Sequence, residues 1–173
     1  MCGAQPQQAR DAPDELEPAA DRRWGAAVYG SFLVASVVGL SYETGDDART
    51  MTATLVASML VFWLAHAWSE VVGHHVAAGS GFRRHRIRHI ARREWPLVEA
   101  AVLPTMFLAL AWAGVWSRDT GATLALASAV LQITGWGFVA GLRSGGTVAS
   151  AALLGAVQGM LGVALLALER LVH

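Results

Sequence analysis

The residues best placed to do chemistry are His66, Glu70 and His74, which recur at intervals of four along one apolar segment. Side chains four apart share a helical face, so these groups form one stripe, which Thr54 and Ser58 continue. A fourth ionisable group, Glu99, lies near the start of the next apolar segment. Imidazole and carboxylate suit zinc, iron or manganese, which makes His66, Glu70 and His74 candidate ligands of a divalent metal ion. The same set, with Glu99, suits proton or cation handling, because imidazole exchanges protons readily near neutrality. A plainer use is equally open. Polar side chains in a membrane helix bond to neighbouring helices at about 0.6 kcal/mol each and hold a bundle together. The zinc-protease pattern His-Glu-x-x-His does not occur, and no nucleophile, cofactor motif or complete catalytic constellation is legible, so the chain reads as a non-enzyme.

The segments that carry these residues are membrane-like. Of 173 residues, 54% are hydrophobic and 15% charged, against roughly 25% charge in soluble domains. A helical span needs about 20 apolar residues to cross a hydrocarbon layer about 30 Å thick. Five stretches come close to that length: residues 24–42, 51–76, 97–116, 122–142 and 147–168. The expected fold is an all-α integral membrane bundle of about five spans occupying residues 24–173. Residues 1–23 are polar, with Pro6, Pro13 and Pro18, and read as a disordered cytoplasmic tail. No signal peptide is evident before the first span, which reads as a retained signal anchor. The single cysteine, Cys2, allows no disulfide within the chain.

Arginine distribution gives an orientation. All 13 basic residues are Arg, a usage that fits a GC-rich genome. Six of them, Arg83, Arg84, Arg86, Arg88, Arg92 and Arg93, fall in the loop 79–93 between spans two and three. Arg22 and Arg23 precede span one and Arg143 separates spans four and five, whereas acids accompany Arg49, Arg118 and Arg170. Cytoplasmic loops collect Arg, so the N-terminus is expected inside a bacterial plasma membrane and the C-terminus outside. The six loop arginines suit anionic lipid head groups, at about 1 kcal/mol per cation near the surface, and part of the loop reads as a short amphipathic helix. Nucleic acid is not an expected partner, because no recognition fold surrounds the run.

Depth follows from helix rise. If span two enters the cytoplasm near residue 78, His74, Glu70 and His66 lie about 6, 12 and 18 Å deep. Glu99 is then about 5 Å deep, level with His74, and Tyr29 and Ser31 of span one reach similar depths. Gln132 and Gln158 fall nearer the midplane. A charged group at such depth is costly, so the stripe should face the bundle or a wet cavity. Spans four and five carry Gly137, Gly141, Gly155, Gly159 and Gly162, whose Gly-x-x-x-Gly spacings suit either internal packing or a homo-oligomer. Pro104 within span three predicts a kink.

The runs Ala26-Ala27-Val28-Tyr29-Gly30 and Phe62-Trp63-Leu64-Ala65-His66, with the ending Leu165-Leu166-Ala167-Leu168-Glu169-Arg170-Leu171-Val172-His173, resemble a group of small actinobacterial multi-pass membrane proteins. That resemblance implies the class and a source, and no particular activity. The layout is also similar to that of the vacuolar iron transporter family, which has five spans, an inside N-terminus and a cytoplasmic insertion between spans two and three. The likeness implies Glu70 as a metal-handling position, where Ser69-Glu70-Val71 stands against that family's Gly-Glu-Tyr. The Arg-rich loop departs from the family in having no row of glutamates, and span one in having no acid.

Overall fold

Apolar runs of this length become helices because helix closes every backbone hydrogen bond within the segment. The computed structural model describes residues 18–78, 90–92 and 94–172, and they form five long helices. These are α1 (Pro18–Glu43), α2 (Ala48–Ala78), α3 (Pro96–Trp112), α4 (Arg118–Arg143) and α5 (Val148–Val172). No strand occurs among the described residues. Four helices are long and apolar enough to cross a membrane, over Gly25–Glu43, Ala48–Gly73, Arg118–Arg143 and Val148–Leu168. The remaining one, α3, has 17 residues, about 25 Å of helix. α1 starts earlier than expected: residues 18–23, assigned above to the tail, are helical. Pro18 suits the first helical position, where a missing N–H costs nothing, and Ala19 and Ala20 favour helix after it.

α3 is central. Its buried stripe of Leu97, Ala100, Ala101, Pro104, Leu108 and Ala111 packs among α1, α2 and α4, and the helix continues through Pro104. Val34, Ala35 and Val38 of α1, Met51, Leu55 and Met59 of α2, and Ala122, Ala125 and Ala129 of α4 complete the core. Small residues let the helices approach closely. A methyl at Gly30 would stand 2.9 Å from the Leu97 carbonyl oxygen, so α1 and α3 touch backbone to backbone there. α4 and α5 meet in the same way: a methyl at Gly141 would stand 2.5 Å from Ala151 Cα, and one at Gly155 2.8 Å from the Thr134 carbonyl oxygen. These glycine faces are engaged inside the chain.

The end opposite the Arg-rich loop is fastened by polar groups. Arg118 donates from Nε to the Asp46 carbonyl (2.6 Å) and from Nη2 to the Tyr42 carbonyl (2.7 Å), tying the start of α4 to the last turn of α1 and the loop after it. Its guanidinium lies 4.6 Å from the Tyr42 ring centre, and the Tyr42 hydroxyl donates to Asp119 Oδ1 at 3.3 Å. Gly45, at φ 81°, takes the left-handed turn that lets the Asp46 amide close on the Ser41 carbonyl at 3.1 Å. Asp47 then caps α2, accepting from the Thr50 amide at 2.8 Å, and hydrogen bonds from Thr50 hold its carboxyl below the usual carboxylate range.

Gly141→Ala should lower the unfolding midpoint in detergent, because backbone atoms of Ala151 cannot yield; overpacking of this kind costs about 1–3 kcal/mol. Gly135, with nothing within 4 Å, is the control, and its alanine variant should be neutral or more stable, by up to about 1 kcal/mol of helix propensity.

Candidate functional site

The face that α2 turns inward is Met51, Leu55, Met59, Ala67 and Val71, with Trp63 half-buried among them. The polar row sits one residue behind that stripe, about 100° around the helix. It therefore lies at the edge of the bundle rather than inside it. Thr54 and His66 are exposed, and Ser58 and Glu70 half-buried. Glu99 of α3 is exposed as well. The side chain of His74 lies outside the described residues, so neither its expected meeting with Glu99 nor the ligand set His66, Glu70 and His74 falls within them. Among the described residues no three His, Cys, Asp or Glu side chains gather where a metal ion could be held. Of the six loop arginines only Arg92 has a described side chain, and it is exposed; Arg83, Arg84, Arg86, Arg88 and Arg93 fall outside.

His66 does have an acidic partner. Its Nε2 lies 3.3 Å from Oε2 of Glu94, and the side chains are 46% and 5% exposed respectively. The contact is an ion pair when the imidazole is charged and a neutral-donor hydrogen bond otherwise. Local backbone carries Glu94 to this place. Its amide donates to the Ile90 carbonyl at 3.1 Å, and its own carbonyl accepts from the Leu97 amide at 3.2 Å, which continues the turn into α3. Pro96 at the first helical position allows the chain to turn there without losing a bond.

The segment around Glu94 is strapped along α2. Ile90 is buried against Ala67 and Val71. Trp63 donates from Nε1 to the Ala91 carbonyl at 3.1 Å, and its ring meets Trp95 edge-on at 6.0 Å and 88°. From α1, the Tyr29 ring stacks on the His66 imidazole at 6.5 Å and 30°. α1, α2 and the segment before α3 thus meet at one polar pair, and Tyr29 stands beside His66 instead of level with His74, where helix rise was expected to put it.

The pair also sets the register of α2 against α3. The expected 18 Å or so was measured from residue 78, on the premise that α2 and α3 leave the membrane together. His66 instead stands beside Glu94, two residues before α3 begins. At the far end Arg49 of α2 lies 6.0 Å from the Trp112 ring of α3. Between these two contacts α2 runs about 25 Å, matching the 17 residues of α3. Residues 67–78 then continue about 18 Å beyond the start of α3. Relative to α3, His66 is at the rim.

Glu94 escaped the sequence reading because it sits between an arginine run and an expected span, in neither pattern. One signal was present: it is the only acid between Glu70 and Glu99, beside six arginines. Comparisons with known protein families, curated proteins and solved structures gave no match.

Replacing Glu94 by Ala should free the strap. Hydrogen exchange of the amides of Glu94 and Leu97 should accelerate by at least about fivefold, equivalent to about 1 kcal/mol for one lost bond, while exchange within α4 stays unchanged. Trp63→Phe, which removes only the bond to Ala91, should give a smaller increase in the same peptide.

Proposed function

We propose that the chain is a multi-pass integral membrane protein that takes up protons at the pair His66–Glu94 on one face of a five-span bundle. The observation that carries this reading is the 3.3 Å contact itself: a buried carboxyl group lies against an imidazole that is half open to its surroundings. Glu70, one turn further along α2 and half-buried, is the next group outward. One imidazole and one carboxylate suffice to exchange a proton and fall short of the three or four ligands a transition metal takes. A proton thus fits the described groups better than a divalent cation.

The arginine distribution puts this rim on the cytoplasmic side, with the N-terminus inside and the C-terminus outside a bacterial plasma membrane. α3 counts as the fifth span, because α1, α2 and α4 pack around it and its 25 Å or so approaches the thickness of a hydrocarbon layer. Arginine usage and the resemblances in three segments favour an actinobacterial source. The layout shared with iron transporters implied Glu70 as the central ligand; geometry favours Glu94 in that place. Arg92, exposed beside the strap, suits a lipid head group at the inner rim. Beyond the pair, Val34, Val38, Leu55, Met59 and Leu108 are fully buried and apolar, so the proton site opens toward one side only.

A second reading, an accessory membrane protein without transport, is favoured by a separate observation. Trp63 on Ala91, and Ile90 on Ala67 and Val71, make the same connection between α2 and the start of α3 without any titratable group.

Proton flux into liposomes carrying the purified protein separates the two. Wild type should exceed protein-free vesicles, and Glu94→Gln should lose at least about tenfold, a modest fraction of what positioned proton-transfer groups contribute. Glu70→Gln should lose less. Equal flux from wild type and Glu94→Gln would rule out proton uptake at this pair and leave the accessory role.

A further inference from the structure

The bundle contains a second polar place, on its inner side, that the pair does not use. Gln132 of α4 buries its amide Nε2 completely and has no hydrogen-bond partner in the protein. Four residues before it on the same helix face is Ser128, 6% exposed, whose hydroxyl donates to the Ala125 carbonyl at 2.7 Å. On α1, Ser31 is wholly buried and donates to the Ala27 carbonyl at 2.9 Å. Each hydroxyl has spent its only proton and keeps lone pairs free to accept. The inventory is thus one unmet donor and two hydroxyl oxygens with spare acceptor capacity.

Contacts between helices bring these residues to one depth. Gly30 of α1 touches Leu97 and Ala100 of α3, and Gly121 of α4 touches Phe107 and Ala111 of α3. Counting along the antiparallel α3 and α4 from these contacts puts Gln132 level with Val98, and hence with Gly30 and Ser31, to within about one turn. The Tyr42–Asp119 bond, counted along α1 and α4, gives the same level. Glu94 is about one turn, roughly 6 Å, nearer the rim. Gln132 shares its side of α4 with the buried Ala125, Ser128 and Ala129, the side that faces α1 and α3.

We infer that Gln132, Ser128 and Ser31 hold ordered water inside the bundle, one turn inward of Glu94. A water there accepts from Gln132 Nε2 and donates to the serine oxygens, which gives it the two to four partners that buried water requires. Without it the amide would stay buried and unbonded, at a cost of about 1–3 kcal/mol. The role of this water rests on the proton reading above: it extends the His66–Glu94 site into the bundle and stops below the apolar layer of Val34, Val38 and Leu108. Its presence does not depend on that reading.

Solid-state NMR of glutamine-labelled protein in phospholipid bilayers tests the site without measuring flux. The Gln132 side-chain amide is identified as the signal lost in Gln132→Met, a substitution close in volume. Magnetisation transferred from water should reach it several-fold faster than it reaches the backbone amide of Ile133, which is buried next door. Equal build-up at the two amides would overturn the inference. In support, Ser31→Ala with Ser128→Ala, which leaves Gln132 in place, should slow transfer to the Gln132 amide at least twofold; no slowing would remove the serines from the site. A wet Gln132 in a protein that moves no protons would leave the water site standing and the proton reading refuted.

Discussion

The register of α2 against the start of α3 is set where His66 meets Glu94, a carboxylate buried two residues before α3 begins. Removing a charge from water costs several kcal/mol, and an uncompensated one inside a fold costs about 3–5 kcal/mol when its partner is lost. Glu94 is held at 5% exposure with His66 beside it, so the position of α3 along α2 is set to within a fraction of a turn. Everything at the rim follows from that register. Trp63 meets Ala91, Ile90 drops onto Ala67 and Val71, and Tyr29 closes the third side. The last twelve or so residues of α2 extend past the start of α3 as a consequence.

The opposite end has its own fastening, and the two together bound the apolar middle. Arg118 gathers the carbonyls of Tyr42 and Asp46, so α4 begins where α1 stops. Arg49 on Trp112 does the same, more loosely, for α2 and α3. Between the two ends lies a core of alanine, valine, leucine and methionine that offers little besides shape to fix depth. Helices in lipid gain no hydrophobic drive toward one another, so close backbone approach and a few polar bonds must supply the order. Gly30 against Leu97, and Gly141 against Ala151, supply the first; the pair and the Arg118 cluster supply the second.

Much of the architecture was legible because it rests on local composition. Apolar length gave every helix, but span three was expected to run to residue 116 and span four to start at 122, whereas Gly114, at φ 78°, turns the chain after Trp112 and α4 begins at Arg118. The start of α1 was placed late because acids and prolines near residue 18 suggest disorder, while Pro18 in fact opens the helix. The site was legible in half. His66 stood out as an ionisable group in an apolar segment, and that signal is strong in any membrane helix. Its row was expected to face inward, but a row one residue away from the packed stripe lies at an edge. Spacing along a single helix does not reveal which side its neighbours cover. Glu94 was missed for a related reason. Its importance comes from contacts made 28 residues away in sequence, at a register no periodic pattern encodes.

The claim on which this account turns is that His66 and Glu94 bond to each other, and a double-mutant cycle measures that bond directly. Unfolding free energies would be compared for wild type, His66→Ala, Glu94→Ala and the double variant in one detergent. The account predicts a coupling of about 1 kcal/mol or more, within the range measured for polar pairs in membrane proteins. Two single effects that add to within about 0.3 kcal/mol would contradict it.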